Sequence, residues 1–154
     1  MEVVKRDGKR EPVYFDKIST RIDRIRNDFT DLKTIDPTKI AQKTIQNLYD
    51  GITTHELDDL SARVCASLSL SNHEYGKLGG RICISNLHKM TPDTFFEACN
   101  MLMNNHDKNN NINPLLDGNI YNIIEKNAEL IESKIVKERD FLIDSISLRK
   151  YLCE

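Results

Sequence analysis

The residues best placed to do chemistry are five cations near the start of the chain: Lys5, Arg6, Lys9, Arg10 and Lys17. They surround an Asp7-Gly8 turn signal and stand beside Asp16, an acceptor suited to a helix start. Lysines and arginines converging on the first turn of a helix can hold phosphate, because unpaired amides and the helix dipole both favour an anion. The same pattern also fits a solvated hairpin whose edge is charged against aggregation. A second set stands at Thr53-Thr54-His55-Glu56-Leu57-Asp58. Thr53 and Glu56 have the spacing of a capping box, while Asp58, one turn further in, could accept from ribose hydroxyls. His88-Lys89 ends a helical pattern, where cations also complement the dipole without any ligand. His55, His73 and His106 have no HxxH-type spacing and read as solvated surface residues. There is no nucleophile elbow, Walker loop, pair of catalytic carboxylates or aromatic-basic stripe for single-stranded nucleic acid.

The elements that must position these residues follow from apolar periodicity. Val3-Val4 and Val13-Tyr14-Phe15 flank the Asp-Gly segment and predict a β-hairpin. Ile18, Ile22 and Ile25 predict a helix from Asp16 to about Asn27, followed by a connector without periodicity over Phe29–Thr34. Asp36-Pro37 opens a second helix, with Ile40, Thr44, Ile45 and Leu48 on its buried stripe and Gly51 as its stop. A third helix, entered through Ile52 and Thr53, buries Leu57, Leu60, Val64 and Leu68. A fourth runs from about His73 to Lys89 and buries Tyr75, Leu78, Ile82 and Leu87. Its Gly76, Gly79 and Gly80 each cost roughly 1 kcal/mol against alanine, which predicts close packing on another helix. Thr91-Pro92 is expected to cap a fifth helix reaching Met103. An asparagine-rich tract over 104–113 reads as a mobile loop, and Ile120–Ile135 as one or two further helices. Leu142–Glu154 is undecided between helix and strand.

Composition narrows the class. Net charge is −2, from 22 basic and 24 acidic side chains, so no global field draws the 154-residue chain to nucleic acid or an anionic membrane, and any anion site must be local. Cys65, Cys83, Cys99 and Cys153 are widely spaced without a CxxC pair, which predicts reduced thiols, an intracellular protein and no zinc site. No apolar run has membrane-spanning length and no signal peptide is recognisable. The expected fold is α+β and mainly α: a β-hairpin capping a four-helix unit over residues 1–91, then a helical connector over 92–154.

Four segments carry a resemblance. Val4-Lys5-Arg6-Asp7-Gly8, Val13-Tyr14-Phe15-Asp16-Lys17-Ile18, Tyr49-Asp50-Gly51-Ile52-Thr53-Thr54-x-Glu56-Leu57-Asp58 and Arg81-Ile82-Cys83-Ile84-Ser85-Asn86-Leu87-His88-Lys89 resemble, in order and spacing, the ATP-cone. This is the N-terminal regulatory module of the class I ribonucleotide reductase large subunit, in its eukaryotic and viral form. Glu138-Arg139-Asp140-Phe141 is similar, more loosely, to the segment leading toward that family's catalytic barrel.

The resemblance implies a cytoplasmic, activity-regulating region that binds ATP or dATP with Mg2+, ATP activating and dATP inhibiting. It implies partners in other large subunits and in the reductase small subunit, with no direct nucleic-acid or membrane contact. The positions matching the family's nucleotide contacts are Lys5, Arg6, Glu11, Pro12, Val13, Tyr14, Phe15, Asp16, Lys17, Thr54, Asp58 and Lys89. Lys5, Arg6, Lys17 and Lys89 suit the triphosphate, Val13 to Phe15 the base, and Asp16 and Asp58 sugar or amine donors. Asp58 would read the ribose hydroxyl that dATP lacks. Pro12 is a departure whose missing amide removes one possible contact. The family's ten-stranded barrel, with its radical and redox cysteines, has no counterpart here, and the four cysteines match none of those positions. The chain is therefore expected to be a fragment, a piece of a split gene or a relic, with no catalysis of its own. Two alternatives remain: the nucleotide-sensing cone of a transcriptional repressor, which would want a CxxC zinc ribbon, and a degenerate cone serving only subunit contacts.

Overall fold

The computed structural model describes residues 1–145, 147 and 148; Cys153 and most of the undecided C-terminal stretch lie outside them. The chain divides into two compact units, Met1–Asn86 with Arg139–Glu154, and Leu87–Glu138. The fold is α+β and mainly helical, with one small open sheet and no barrel among the described residues.

In the first unit β1 (Glu2–Val4) pairs antiparallel with β2 (Arg10–Pro12) and parallel with β3 (Ile52–Thr53), giving the order β2-β1-β3. Gly8 adopts φ +80°, and the turn closes with Lys5 N–H donating to Lys9 O at 2.8 Å. Because that turn is tight, pairing resumes at Arg10. The second strand therefore lies three residues earlier than the apolar run Val13-Tyr14-Phe15 suggested, and Pro12 ends it on the sheet edge, where a missing N–H is tolerated. Ile52 is not a helix entry but the third strand, buried opposite Val3. Gly51, expected to stop the second helix, instead takes φ +80° in the turn into β3 and donates its N–H to Glu2 O at 2.9 Å.

Helix α1 (Phe15–Asn27) buries Ile18, Ile22 and Ile25 as expected. Its N-cap is Tyr14, which makes no side-chain cap; Asp16 lies inside the first turn, where its charge faces the dipole but caps nothing. Helix α2 (Pro37–Ile45) is capped by Asp36, which accepts from Thr38 N–H at 2.9 Å, and it ends before Leu48 because Asn47 and Leu48 N–H donate to Thr44 O and Ile45 O in tighter i→i+3 turns. Helix α3 (Thr54–Leu68) starts on the expected capping box: Thr53 N–H donates to Glu56 at 2.9 Å and Glu56 N–H to Thr53 Oγ1 at 3.2 Å. Helix α4 (His73–His88) runs through the middle of the core, burying Tyr75, Leu78 and Ile82 against residues of α1, α2 and α3.

The connector after α1 is more ordered than its lack of periodicity implied. Leu32 and Ile35 are core residues, and Asp31 receives both terminal nitrogens of Arg81 at 2.7 and 3.0 Å, with Lys77 at 3.2 Å. Arg81 is only 7% exposed; its guanidinium lies 3.9 Å from the Phe29 ring centroid, and Phe29 in turn meets Phe141 at 5.2 Å. The glycines of α4 also resolve. A Cβ on Gly79 would come within 3.1 Å of Ala62 O and Cys65 Cβ, the helix–helix approach expected for it. Gly80 faces instead the backbone of Ile143 and Asp144.

The second unit holds α5 (Phe95–Met103), α6 (Gly118–Lys126) and α7 (Ala128–Glu132). The cap of α5 is Thr94 with Glu97, a full capping box, rather than Thr91-Pro92. The asparagine-rich tract is built around Asp107, which accepts from the N–H groups of Asn109 and Asn111 inside a His106–Ile112 bridge. Cys65 and Cys99 are free thiols, and burial pushes Cys65 up to about 12. No helix among the described residues is long and apolar enough to cross a membrane.

Candidate functional site

Three chain segments in the first unit bring the chemistry-bearing residues together: the hairpin, the start of α1 and the start of α3. Glu11, on β2, is the hub of the first set. It accepts Lys5 at 3.0 Å and Lys17 at 3.3 Å, and these two lysines hold its carboxyl below the usual carboxylate range, Lys5 contributing most. Lys17 also lies 5.0 Å over the exposed Tyr14 ring. Val13 turns the other way and packs against the core, so Val13, Tyr14 and Phe15 do not share a face: Tyr14 is exposed and Phe15 marginally so. The remaining hairpin cations are turned elsewhere, Lys9 to Asp7 at 3.2 Å and Arg10 to Glu2 at 3.7 Å.

The second set centres on α3. Thr54 is its first residue and half-buried; Asp58, one turn on, is 13% exposed at its side chain and pairs with Arg21 of α1 at 3.6 Å. Arg21 also donates to Ser85 Oγ of α4 at 3.0 Å, so one guanidinium spans three helices. Arg6 reaches from the hairpin to Asn86 of α4 at 2.7 Å, and Asn86 in turn meets His55 of α3 at 2.7 Å. Lys5, Arg6, Glu11, Lys17, Thr54 and Asp58 are thus carried on adjoining segments of one unit. Pro12 sits at the strand edge and Asp16 is exposed on the first turn of α1. Lys89 belongs to the second unit, one residue past the end of α4.

Sequence reasoning passed over Arg21, Ser85, Asn86 and His55. The i+3 spacing of Arg21 from Ile18 gives no hint that α3 and α4 lie beside it. The signal for Asn86 was present: an asparagine in the interior of an apolar helix needs partners for its amide, and here it finds a histidine and an arginine. His55 is therefore not a free surface residue, although its ring is exposed.

What this arrangement offers is a set of cations held by replaceable carboxylates beside two helix starts. Carboxylate partners on lysine and arginine are what an incoming polyphosphate displaces, since its oxygens offer the same charge-assisted hydrogen bonds in greater number.

A family model described as the ATP cone domain matches residues 1–90. The chain is 42% identical over 145 residues to the ribonucleoside-diphosphate reductase large chain 2 of Saccharomyces cerevisiae, a match covering 92% of this chain and 16% of that protein. It is 41% identical over 140 residues to the large subunit of Caenorhabditis elegans, covering 90% of this chain and 18% of the other. The Monkeypox virus large subunit is 41% identical over 142 residues, with 92% and 18% covered. The chain thus spans less than a fifth of the length of the curated relatives it matches.

Proposed function

The chain belongs to the ATP-cone family, and on that premise we propose that its first unit binds ATP or dATP, with Mg2+, against the hairpin and the starts of α1 and α3. The observation that carries this reading is Glu11 holding Lys5 and Lys17 together, with Arg6 on the same hairpin and Asp58 on the facing helix start. A triphosphate takes the two lysines from Glu11 and gains the dipole of α1. Asp58 accepts from the ribose, and Tyr14 and Phe15 lie against the base.

The nucleotide acts here as an effector. The cone over 1–91 and the helical connector over 92–154 serve as the activity-regulating region of a cytoplasmic ribonucleoside-diphosphate reductase large subunit. Nucleotide changes how large subunits associate with one another and with the small subunit. The parent reaction of that subunit is the reduction of ribonucleotides for DNA synthesis.

Calorimetry of the full chain with ATP and with dATP tests the reading. At about 100 times Kd, nucleotide adds about 2.7 kcal/mol of stability and raises the melting temperature. Absence of both heat and thermal shift at millimolar nucleotide overturns it. Asp58→Asn provides a second prediction. The neutral amide keeps most of the shape but loses the strong acceptor, so the ratio of ATP to dATP affinity falls toward one while dATP binding changes little. An equal loss for both nucleotides would remove Asp58 from the sugar.

A further inference from the structure

We propose that Asn86 is the positioning residue of this site, tying Arg6 of the hairpin to the start of α3; the proposal rests on the nucleotide-binding reading above. Asn86 is 4% exposed, in the last turn of α4 that belongs to the first unit. Its Oδ1 accepts from Arg6 at 2.7 Å. A guanidinium has donors only, so Arg6 dictates which way the amide faces. Nδ2 then points at α3, where it donates to His55 Nδ1 at 2.7 Å and to His55 O at 3.3 Å. The His55 ring nitrogen facing Asn86 is consequently the acceptor, and the ring proton resides on Nε2.

One buried amide thus fixes an exposed arginine on one element and the second residue of a helix on another. Its neighbour Ser85 does the same for Arg21 and, through Arg21, for Asp58. A single turn of α4 therefore sets the spacing between the hairpin cation and the α3 carboxylate. Arg6 is long, flexible and otherwise solvated; held at Asn86 it loses its conformational freedom before a ligand arrives, which is where a positioning contact gains affinity.

The test uses the full chain and two readouts. Histidine 15N shifts of the unaltered chain without nucleotide report the tautomer: a single Nε2–H form of His55 is expected, and a tautomer mixture overturns the proposal whatever any variant does. ATP titrations of Asn86→Ala, Arg6→Ala and the double variant follow, with a thermal melt of each. Asn86→Ala is expected to bind ATP about tenfold more weakly, as is Arg6→Ala, and the double variant no more weakly than Arg6→Ala alone, because Asn86 acts through Arg6. Additive losses, or undiminished binding by Asn86→Ala, overturn the proposal. Should Asn86→Ala fail to fold, His55→Ala, made at an exposed position, is expected to weaken ATP binding through the same tie, and unchanged affinity there overturns it. No ATP binding by the unaltered chain overturns the nucleotide reading and this proposal together, whereas intact binding with additive losses overturns this one alone.

Discussion

Asp31→Ala is expected to lower the melting temperature by about 5–10 °C, following a loss of about 2–3 kcal/mol. Asp31 itself is partly solvated, its side chain 42% exposed, so its own removal costs little. The cost falls on Arg81, whose guanidinium stays buried against Phe29 with its charge unanswered and its Nε already without a hydrogen-bond partner among the described residues. Breaking one side of such a pair is far worse than removing both. The double variant Asp31→Ala/Arg81→Met is therefore expected to recover most of the loss, since methionine fills the slot over Phe29 without a charge. If the double variant melts as low as the single one, stranded charge is not the cause. The same pair sets an acid limb. Arg81, foremost, and Lys77 hold the Asp31 carboxyl well below its usual 3.8, at about 2. A depressed carboxylate contributes stability that is present above its unfolded value and lost as pH falls through its folded one. The contribution thus fades from about pH 4 down to about pH 2, reduced in size by solvent screening. A stability profile over that range is expected to be flatter in Asp31→Ala than in the unaltered chain.

Gly80→Ala is the second large effect, and it is local. Alanine favours the helix by roughly 1 kcal/mol over glycine, so α4 itself gains. The new methyl group, however, meets the backbone of Ile143 and comes within 2.9 Å of the Asp144 carbonyl carbon. Backbone cannot yield as a side-chain tip does, and overpacking of this kind costs about 1–3 kcal/mol or more. The cheaper escape is for residues 142–145 to lift off. Hydrogen exchange is expected to show α4 as protected as before while the amides of residues 143–145, 147 and 148, Leu148 N–H to Asp144 O among them, lose protection about 10–100-fold. The Phe29–Phe141 contact, at 5.2 Å, should loosen with them. Unchanged protection there would mean that the segment is not held by its fit over Gly80. The corresponding change at Gly79 strikes α3 as well as Ser145 and is expected to lower the stability of the whole unit.

Helix positions were readable where an apolar stripe marks them, as the isoleucines do in α1, and two helices carry a recognisable start: Asp36-Pro37 and Thr53 with Glu56. Boundaries failed where two starts competed. Thr91-Pro92 and Thr94–Glu97 both look like caps, and the reciprocal pair satisfies two amides where the other satisfies none. Asp16 was misplaced because its charge suits a first turn as well as a cap. β3 was out of reach: two residues paired with a strand far away in the chain leave no periodicity of their own. The cations on the hairpin were legible as a group, and their family order made them candidate ligands. Which of them converge was not legible, since Lys5 and Lys17 meet only through Glu11, and Arg6 and Arg21 reach their helix partners across sequence gaps of 80 and 64 residues. Such contacts are properties of packing, and nothing local to an arginine announces them.

The parallel pairing of β1 with β3 has a bearing on how the protein is born. Val3 leaves the ribosome well before its strand partner Ile52, which lies 49 positions behind it. At about 5–20 residues per second, β1 waits on the order of 2–10 s before its second neighbour exists. The β1–β2 hairpin alone is marginal in water, so it is not expected to persist through that interval. The helices α1 and α2, whose contacts are near in sequence, can dock first, and the sheet is completed only when α3 begins to form and swings Ile52 alongside. The very stretch that carries Lys5 and Arg6 is then among the last of its unit to settle, although it is made before the helices it packs on.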